Sequence, residues 1–256
     1  MSEHRRSGVS PLKGIEQPHG GASPRTEKTA HDAAGRHTYD ADPSCLATPY
    51  EFGYFRPEDA VGNLAGKLPH WRQEGVTYFV TFRLADSLPQ VKLHEWLRER
   101  DMWLVTHPKP WDDHTTSAYH RQFTARIEKW LDAGYGSCVL ARHEIRSVVT
   151  NALRHFNGVR YSLDAWVAMP NHVHVVVTPL RDNGLSAILH TWKSFSSHTI
   201  GKLLPDWNGH FWQKESFDHI VHGPDHLERF RIYIADNPRG LSADTYSLCC
   251  NAMEIT

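Results

Sequence analysis

The stretch AWVAMPNHVHVVVTPL, residues 165–180, limits the chain more than any other, being apolar enough to be buried while carrying His172 and His174. Side chains alternate across a β-strand, so an extended 172–178 places both imidazoles on one face and Val173, Val175 and Val177 on the other. One face then packs and the other coordinates. Pro170 and Asn171 interrupt the run just before the pair, which predicts a tight hairpin turn between strands at 161–168 and 172–178. The spacing alone is a weak signal: with 19 histidines in 256 residues, roughly one His-x-His pair is expected by chance.

Elsewhere the chain alternates between helix and strand patterns. Residues 1–48 are rich in Gly, Pro, Ser, His and charge without sustained periodicity, which predicts a disordered N-terminal arm. Aromatics return in a lead-in segment at 49–75 (Phe52, Tyr54, Phe55, Trp71). VTYFVTFRL, residues 76–84, is dense in β-branched and aromatic residues and reads as the first confident strand. Two amphipathic helices between about 90 and 133, around LHEWLRERDMWL and YHRQFTARIEKWLDAG, look like an insertion beside the core.

A helix at 143–156 follows, with Ile145, Val148, Val149, Leu153 and Phe156 at helical spacing. After the hairpin, NGLSAILHTWKSFSSHTIGKLL gives a helix whose buried stripe includes Leu185, Ile188, Leu189, Trp192, Phe195 and Ile200. A fourth strand at 216–222 leads through Gly223-Pro224 into a helix at 224–236, stopped near Asn237-Pro238. The order predicts an α+β chain: a ferredoxin-like antiparallel sheet with helices on one face and a helical insertion after the first strand. The core domain spans 76–240 and a short C-terminal tail 241–256.

Charge and cysteine content narrow the function. A formal net charge of −1 gives no whole-molecule basic field, so any nucleic-acid contact must rest on local patches. Cys45, Cys138, Cys249 and Cys250 form no CxxC spacing and no evident disulfide framework, which points to a reducing compartment and no structural zinc. No apolar run reaches the roughly 18 residues that span a bilayer. A soluble, cytoplasmic protein with no membrane partner is the expectation.

The last helix supplies a second half to the histidine pair. Leu227, Phe230 and Ile234 form its core face, and Tyr233 and Asn237 lie at the edge of that stripe. Four residues apart, they are neighbours, with Cβ atoms roughly 6 Å apart. A phenol beside a carboxamide could face the imidazoles; read alone, Tyr233 is equally an aromatic at the core boundary. Arg146 and Arg154 fall off the stripe of their helix and read as solvated arginines or as phosphate contacts.

Taken together, AWVAMPNHVHVVVTPL, the Trp-Lys-Ser helix after it, FWQKESFDHIV and YIADNP resemble the REP-associated tyrosine transposases, a branch of the single-tyrosine HUH transposases of insertion sequences. The resemblance covers about 76–240 and implies an HUH endonuclease/transposase fold. It implies that His172 and His174 hold a divalent metal, Mg²⁺ or Mn²⁺, with Asn237 as third ligand, and that Tyr233 is the nucleophile. The implied partner is single-stranded DNA with palindromic hairpins, cleaved beside the hairpin to leave a 5′-phosphotyrosine and a free 3′-hydroxyl. A monomer with the tyrosine helix in cis is expected, a helix-exchanging dimer being the alternative. Lys193, Trp207, Phe211, Trp212, Lys214 and Arg146 are the candidates for DNA contact. The RGL after YIADNP departs from the longer basic continuation of relatives.

The chemistry of the residues agrees with that assignment. A phenol with a reference pKa near ~10 is only about 0.1% ionised at pH 7, and a phosphodiester is anionic, so both reactants need help. Two imidazoles and a carboxamide oxygen leave open metal positions for phosphate oxygens. Two other readings remain: a conventional metallohydrolase, against which Val176 stands where a His-x-His-x-Asp site needs a carboxylate, and a hairpin-binding protein that has lost cleavage.

Overall fold

The valine-rich run forms the central strand of a five-stranded antiparallel sheet. The computed structural model describes residues 52–59, 62–64, 70–108 and 111–250. The arm at 1–48 lies outside the described residues. In chain order the elements are β1 (Gly62–Leu64), β2 (His70–Arg72), β3 (Tyr78–Arg83), α1 (Gln90–Thr106), α2 (Asp113–Tyr119), α3 (Ala125–Asp132), α4 (His143–Arg154), β4 (Tyr161–Ala168), β5 (His172–Pro179), α5 (Leu185–Leu203), β6 (Phe217–Ile220), α6 (Pro224–Asp236) and β7 (Ser247–Cys250). A π-helical turn, His120–Thr124, joins α2 to α3. The main sheet has the order β6-β3-β5-β4-β7, and β1 and β2 make a separate two-stranded ribbon.

Strand alternation sets the two faces. Val173, Val175 and Val177 pack with Tyr78, Val80 and Phe82 of β3 against the apolar stripes of α4 and α5. Each such buried side chain contributes on the order of 1.5–3 kcal/mol relative to its exposed state. On the other face, Phe79, Val167 and Val176 pack against Leu227 and Ile234 of α6. The sheet is therefore covered on both faces, where the sequence pattern predicts helices on one. An amphipathic stripe shows that α6 must bury a face but not which side of the sheet receives it.

Capping chemistry fixes the ends of α6. Pro224 occupies the first turn together with Asp225, and Asn237 closes the helix with its N–H on the carbonyl of Tyr233. The insertion packs around Trp96, Phe123, Ile127 and Leu131 and reaches the sheet through Phe217. Phe52 and Tyr54 of the lead-in segment lie against the α6 side of the sheet.

Two further departures concern the C-terminal residues. Ser247–Cys250 of the tail form β7, hydrogen-bonded to β4 at the sheet edge. Cys249 is disulfide-bonded, where the sequence reading finds no disulfide framework. No helix among the described residues is long and apolar enough to cross a membrane.

Candidate functional site

β5 delivers His172 and His174 to the α6 face in fully buried positions. Their Nε2 atoms converge to 2.9 Å. The opposite ring atoms are held by neighbours: Asn171 Oδ1 lies 2.7 Å from His172 Nδ1, and Thr81 Oγ1 lies 2.7 Å from His174 Nδ1. A carboxamide oxygen only accepts, so His172 donates from Nδ1 and keeps the Nε2 lone pair for whatever approaches. With that assignment, the short Nε2···Nε2 contact requires His174 to donate from Nε2 while the Thr81 hydroxyl donates to its Nδ1. Binding a cation at both Nε2 atoms then needs only a proton shift on His174 and rotation of the Thr81 hydroxyl.

Both rings are neutral near pH 7. Burial pushes His172 down to about 3; the Asn237 carboxamide opposes this and the charge of Arg83 adds to it. Burial also lowers His174, and the neighbouring His172 lowers it further. Neutral imidazole is the form that ligates metal.

α6 brings Tyr233 and Asn237 to the same place. The Tyr233 hydroxyl lies 3.5 Å from His174 Nε2, a contact rather than a tight hydrogen bond, with the rings edge to face at 5.1 Å. Asn237 Oδ1 is close enough to influence His172, yet it is buried without a hydrogen bond of normal geometry. An orphaned acceptor beside two converging imidazole nitrogens suits a cation. Among the described residues no group of three His, Cys, Asp or Glu side chains is placed to hold a metal. A metal here would rest on the two imidazoles and the carboxamide.

Several residues that shape the site are absent from the sequence motifs. Thr81 sits opposite His174, and Arg83 opposite His172, on β3. Asn171 reads in the sequence as a turn residue, but its Nδ2 also donates to the carbonyls of Leu131 and Tyr135, each at 3.1 Å. It thus ties the insertion to His172. On β4, Asp164 stands at the register shift between Leu163 and Ala165 and faces α6, where Arg231 pairs with it bidentately at 2.8 and 2.7 Å. A charge inside the apolar run of β4 was the available signal for that anchor.

The remaining candidates divide. Lys193, Trp207, Phe211, Trp212 and Lys214 line one groove of about 430 Å³ between α5 and the loop before β6. Within it, Trp207 is partly exposed and its buried Nε1 has no acceptor. Trp212 is different: its indole N–H is bonded to Ser196 and its ring packs on Phe82, so it forms the floor and is not free to stack on a base. Lys193 donates to the carbonyls of Gln213 and Lys214; burial and then Arg83 pull its pKa down to about 8, against Glu215. Arg146 belongs to neither group. It is buried, and its guanidinium is committed to the carbonyls of Leu140, Ala141 and Asp244 and the hydroxyl of Ser247. The surface or phosphate-contact expectation is corrected, because β7 and the segment before it cover that side of α4.

Residues 139–237 match the family model of the IS200-like transposases. The IS200-like segment runs from just before α4 to Asn237, so it holds the histidine pair, Tyr233 and Asn237 but not β3 or the insertion. Among solved structures, the REP-associated tyrosine transposase bound to a REP hairpin aligns with 68% of this chain and 73% of its own, at 16% identity and a TM-score of 0.37. No curated protein matches the chain in sequence.

Proposed function

We propose that the protein is a transposase-type nuclease and strand transferase. It would act on single-stranded DNA beside a hairpin, with Tyr233 as nucleophile and a divalent cation, Mg²⁺ or Mn²⁺, on His172, His174 and Asn237. The observation that carries this reading is the meeting of the Tyr233 hydroxyl, 3.5 Å from His174 Nε2, with the orphaned Asn237 Oδ1 and the paired imidazoles. The transposase family of the surrounding segment supports it.

In this mechanism the phenolic oxygen of Tyr233 forms a bond to phosphorus as the P–O3′ bond breaks. The phenol loses its proton and the departing 3′ oxygen gains one, leaving a 5′-phosphotyrosine and a 3′-hydroxyl. The ester bond is conserved on the protein, so a second 3′-hydroxyl can reverse the step and join strands. A bound divalent cation would polarise the phosphate and neutralise charge in the transition state. The protein's own part is to keep both imidazoles neutral through burial, to fix the ring of His172 through Asn171 and that of His174 through Thr81, and to present the phenol at their edge. Because the tyrosine comes from the same chain as the histidines here, the reading extends to a protein able to act as a monomer.

Incubation with a hairpin oligonucleotide labelled at its 3′ end, the part that stays on the protein, and Mg²⁺ or Mn²⁺ tests the assignment. A covalent adduct is expected in the parent and absent in Tyr233→Phe, whose ring packing is conserved. An adduct that persists in Tyr233→Phe refutes the nucleophile. Tight hairpin binding with no adduct under any metal identifies instead a binding protein without cleavage.

A further inference from the structure

Arg83 closes β3 with its Cα opposite that of His172. By alternation it shares the face of Thr81, which bonds His174. The side chain is only 5% exposed, and its guanidinium lies over the ring of Phe217 at 5.2 Å. Nε and Nη1 are both buried without a hydrogen-bond acceptor. The side-on edge of the guanidinium, through Nε, and the end-on edge, through Nη1, therefore each keep an uncommitted N–H. Burial lowers the pKa to about 10 against the opposing charge of Glu215, so the group is still a cation near pH 7.

An unpaired cation in a buried position is costly, and folded proteins keep charges inside when they are paired or when a ligand completes them. The contrast within this chain is direct. Arg231 is equally buried and has Asp164; Arg100 is equally buried and has Asp101. Arg83 makes no ion pair with a described residue. Its charge instead bears on His172 and on Lys193, between the histidine pair and the groove.

We propose that Arg83 is a phosphate-binding residue of the histidine site, its open donors taking the non-bridging oxygens of a DNA phosphodiester that lies beside His172. This rests on the reading of the site as one that engages single-stranded DNA. Planar N–H donors on a fixed fork suit phosphate oxygens better than an ammonium does, and the buried setting strengthens the contact relative to one in water. The arginine would serve to position and neutralise the phosphate independently of any cation held by the imidazoles.

The test uses the full chain carrying Arg83→Met and, separately, Arg83→Lys, each with Tyr233→Phe so that binding is read without chemistry. Melting temperature is measured, then affinity for a hairpin oligonucleotide with a single-stranded flank across a salt series. Arg83→Met is expected to melt at or above the parent, since it removes an unpaired buried charge while keeping volume. It should bind about 10-fold more weakly at low salt, with a log K against log salt slope shallower by about 0.7, the loss of one phosphate contact on a single strand. Arg83→Lys should keep the slope. An unchanged slope and affinity in Arg83→Met overturns the proposal, as does a melting temperature well below the parent that Arg83→Lys restores without restoring binding. The nuclease reading fails separately: a Tyr233 protein that binds with an arginine-dependent slope but forms no adduct loses the nucleophile and keeps Arg83.

Discussion

Removing the carboxylate of Asp164 isolates the anchor of the tyrosine helix. Asp164 is 1% exposed and holds two N–H groups of Arg231, itself 7% exposed at the side chain, at 2.8 and 2.7 Å. Tyr233 lies two residues further along α6. Breaking a buried pair on one side typically costs about 3–5 kcal/mol, because the other charge is left without compensation. Here Glu228, at 3.3 Å and 40% exposed, remains as a weaker partner, so Asp164→Ala should fall near the low end, about 3 kcal/mol. For a domain of this size that is a fall of roughly 6–12 °C in melting temperature. Urea unfolding gives the free energy directly, and an unchanged m-value keeps the comparison two-state. Asp164→Leu combined with Arg231→Met removes both charges and should recover most of the loss. In the cleavage assay, Asp164→Ala should slow adduct formation more than it weakens hairpin binding, since it loosens the helix that carries Tyr233. A loss under about 1 kcal/mol, or a double variant as unstable as Asp164→Ala, refutes the role of this pair.

Thr81→Val deletes the hydrogen bond to His174 Nδ1 and should weaken Mn²⁺ binding 10- to 100-fold in calorimetry; an unchanged affinity would show that the hydroxyl does not orient the ring. Stability of the metal-free protein should fall in acid: His172 takes up its proton near pH 6.5 when unfolded but only near pH 3 when folded, so the unfolded state gains protons first. From pH 8 to pH 5 this ring alone should cost about 2 kcal/mol, with the loss levelling off below about pH 3, and His174 acts in the same direction. Equal slopes of stability against pH in the parent and in His172→Gln would refute it.

Period-2 alternation made the division of β5 legible, because each valine and histidine can point only one way once the strand is extended. Gly223-Pro224 and Asn237-Pro238 made the limits of α6 legible for the same local reason. What local pattern cannot carry is register and docking. Thr81 and Arg83 read as ordinary members of a β-branched strand until β3 is aligned on β5, and nothing local fixes that alignment. Alternation from Leu163 gives Asp164 its face, but its partner on α6 appears only once that helix is docked. Arg146 reads as exposed from the helical wheel, and only the return of the tail as β7 covers it.

The central position of β5 decides which part of the site is rigid. Its His174 is hydrogen-bonded to Thr81 of β3 and its His172 donates to Asn171 of the hairpin turn, and Asn171 is tied in turn to the end of the insertion. Both imidazoles are fully buried, so the strand that the proposed function requires would reach them only when a covering element gives way. The insertion is held against the pair by hydrogen bonds from the same residue that orients His172, and moving it would disturb the ring. α6 meets the sheet through the buried Leu227 and Ile234, the Phe79–Phe230 stack, the Asp164–Arg231 pair and the loose 3.5 Å contact of Tyr233. Its C-terminal end, with Tyr233 and Asn237 beyond the ion pair, is held to the sheet by Ile234, which is fully buried. Arg231 and Ile234 thus anchor α6 on either side of Tyr233, and the phenol is presented to the imidazoles from a held helix.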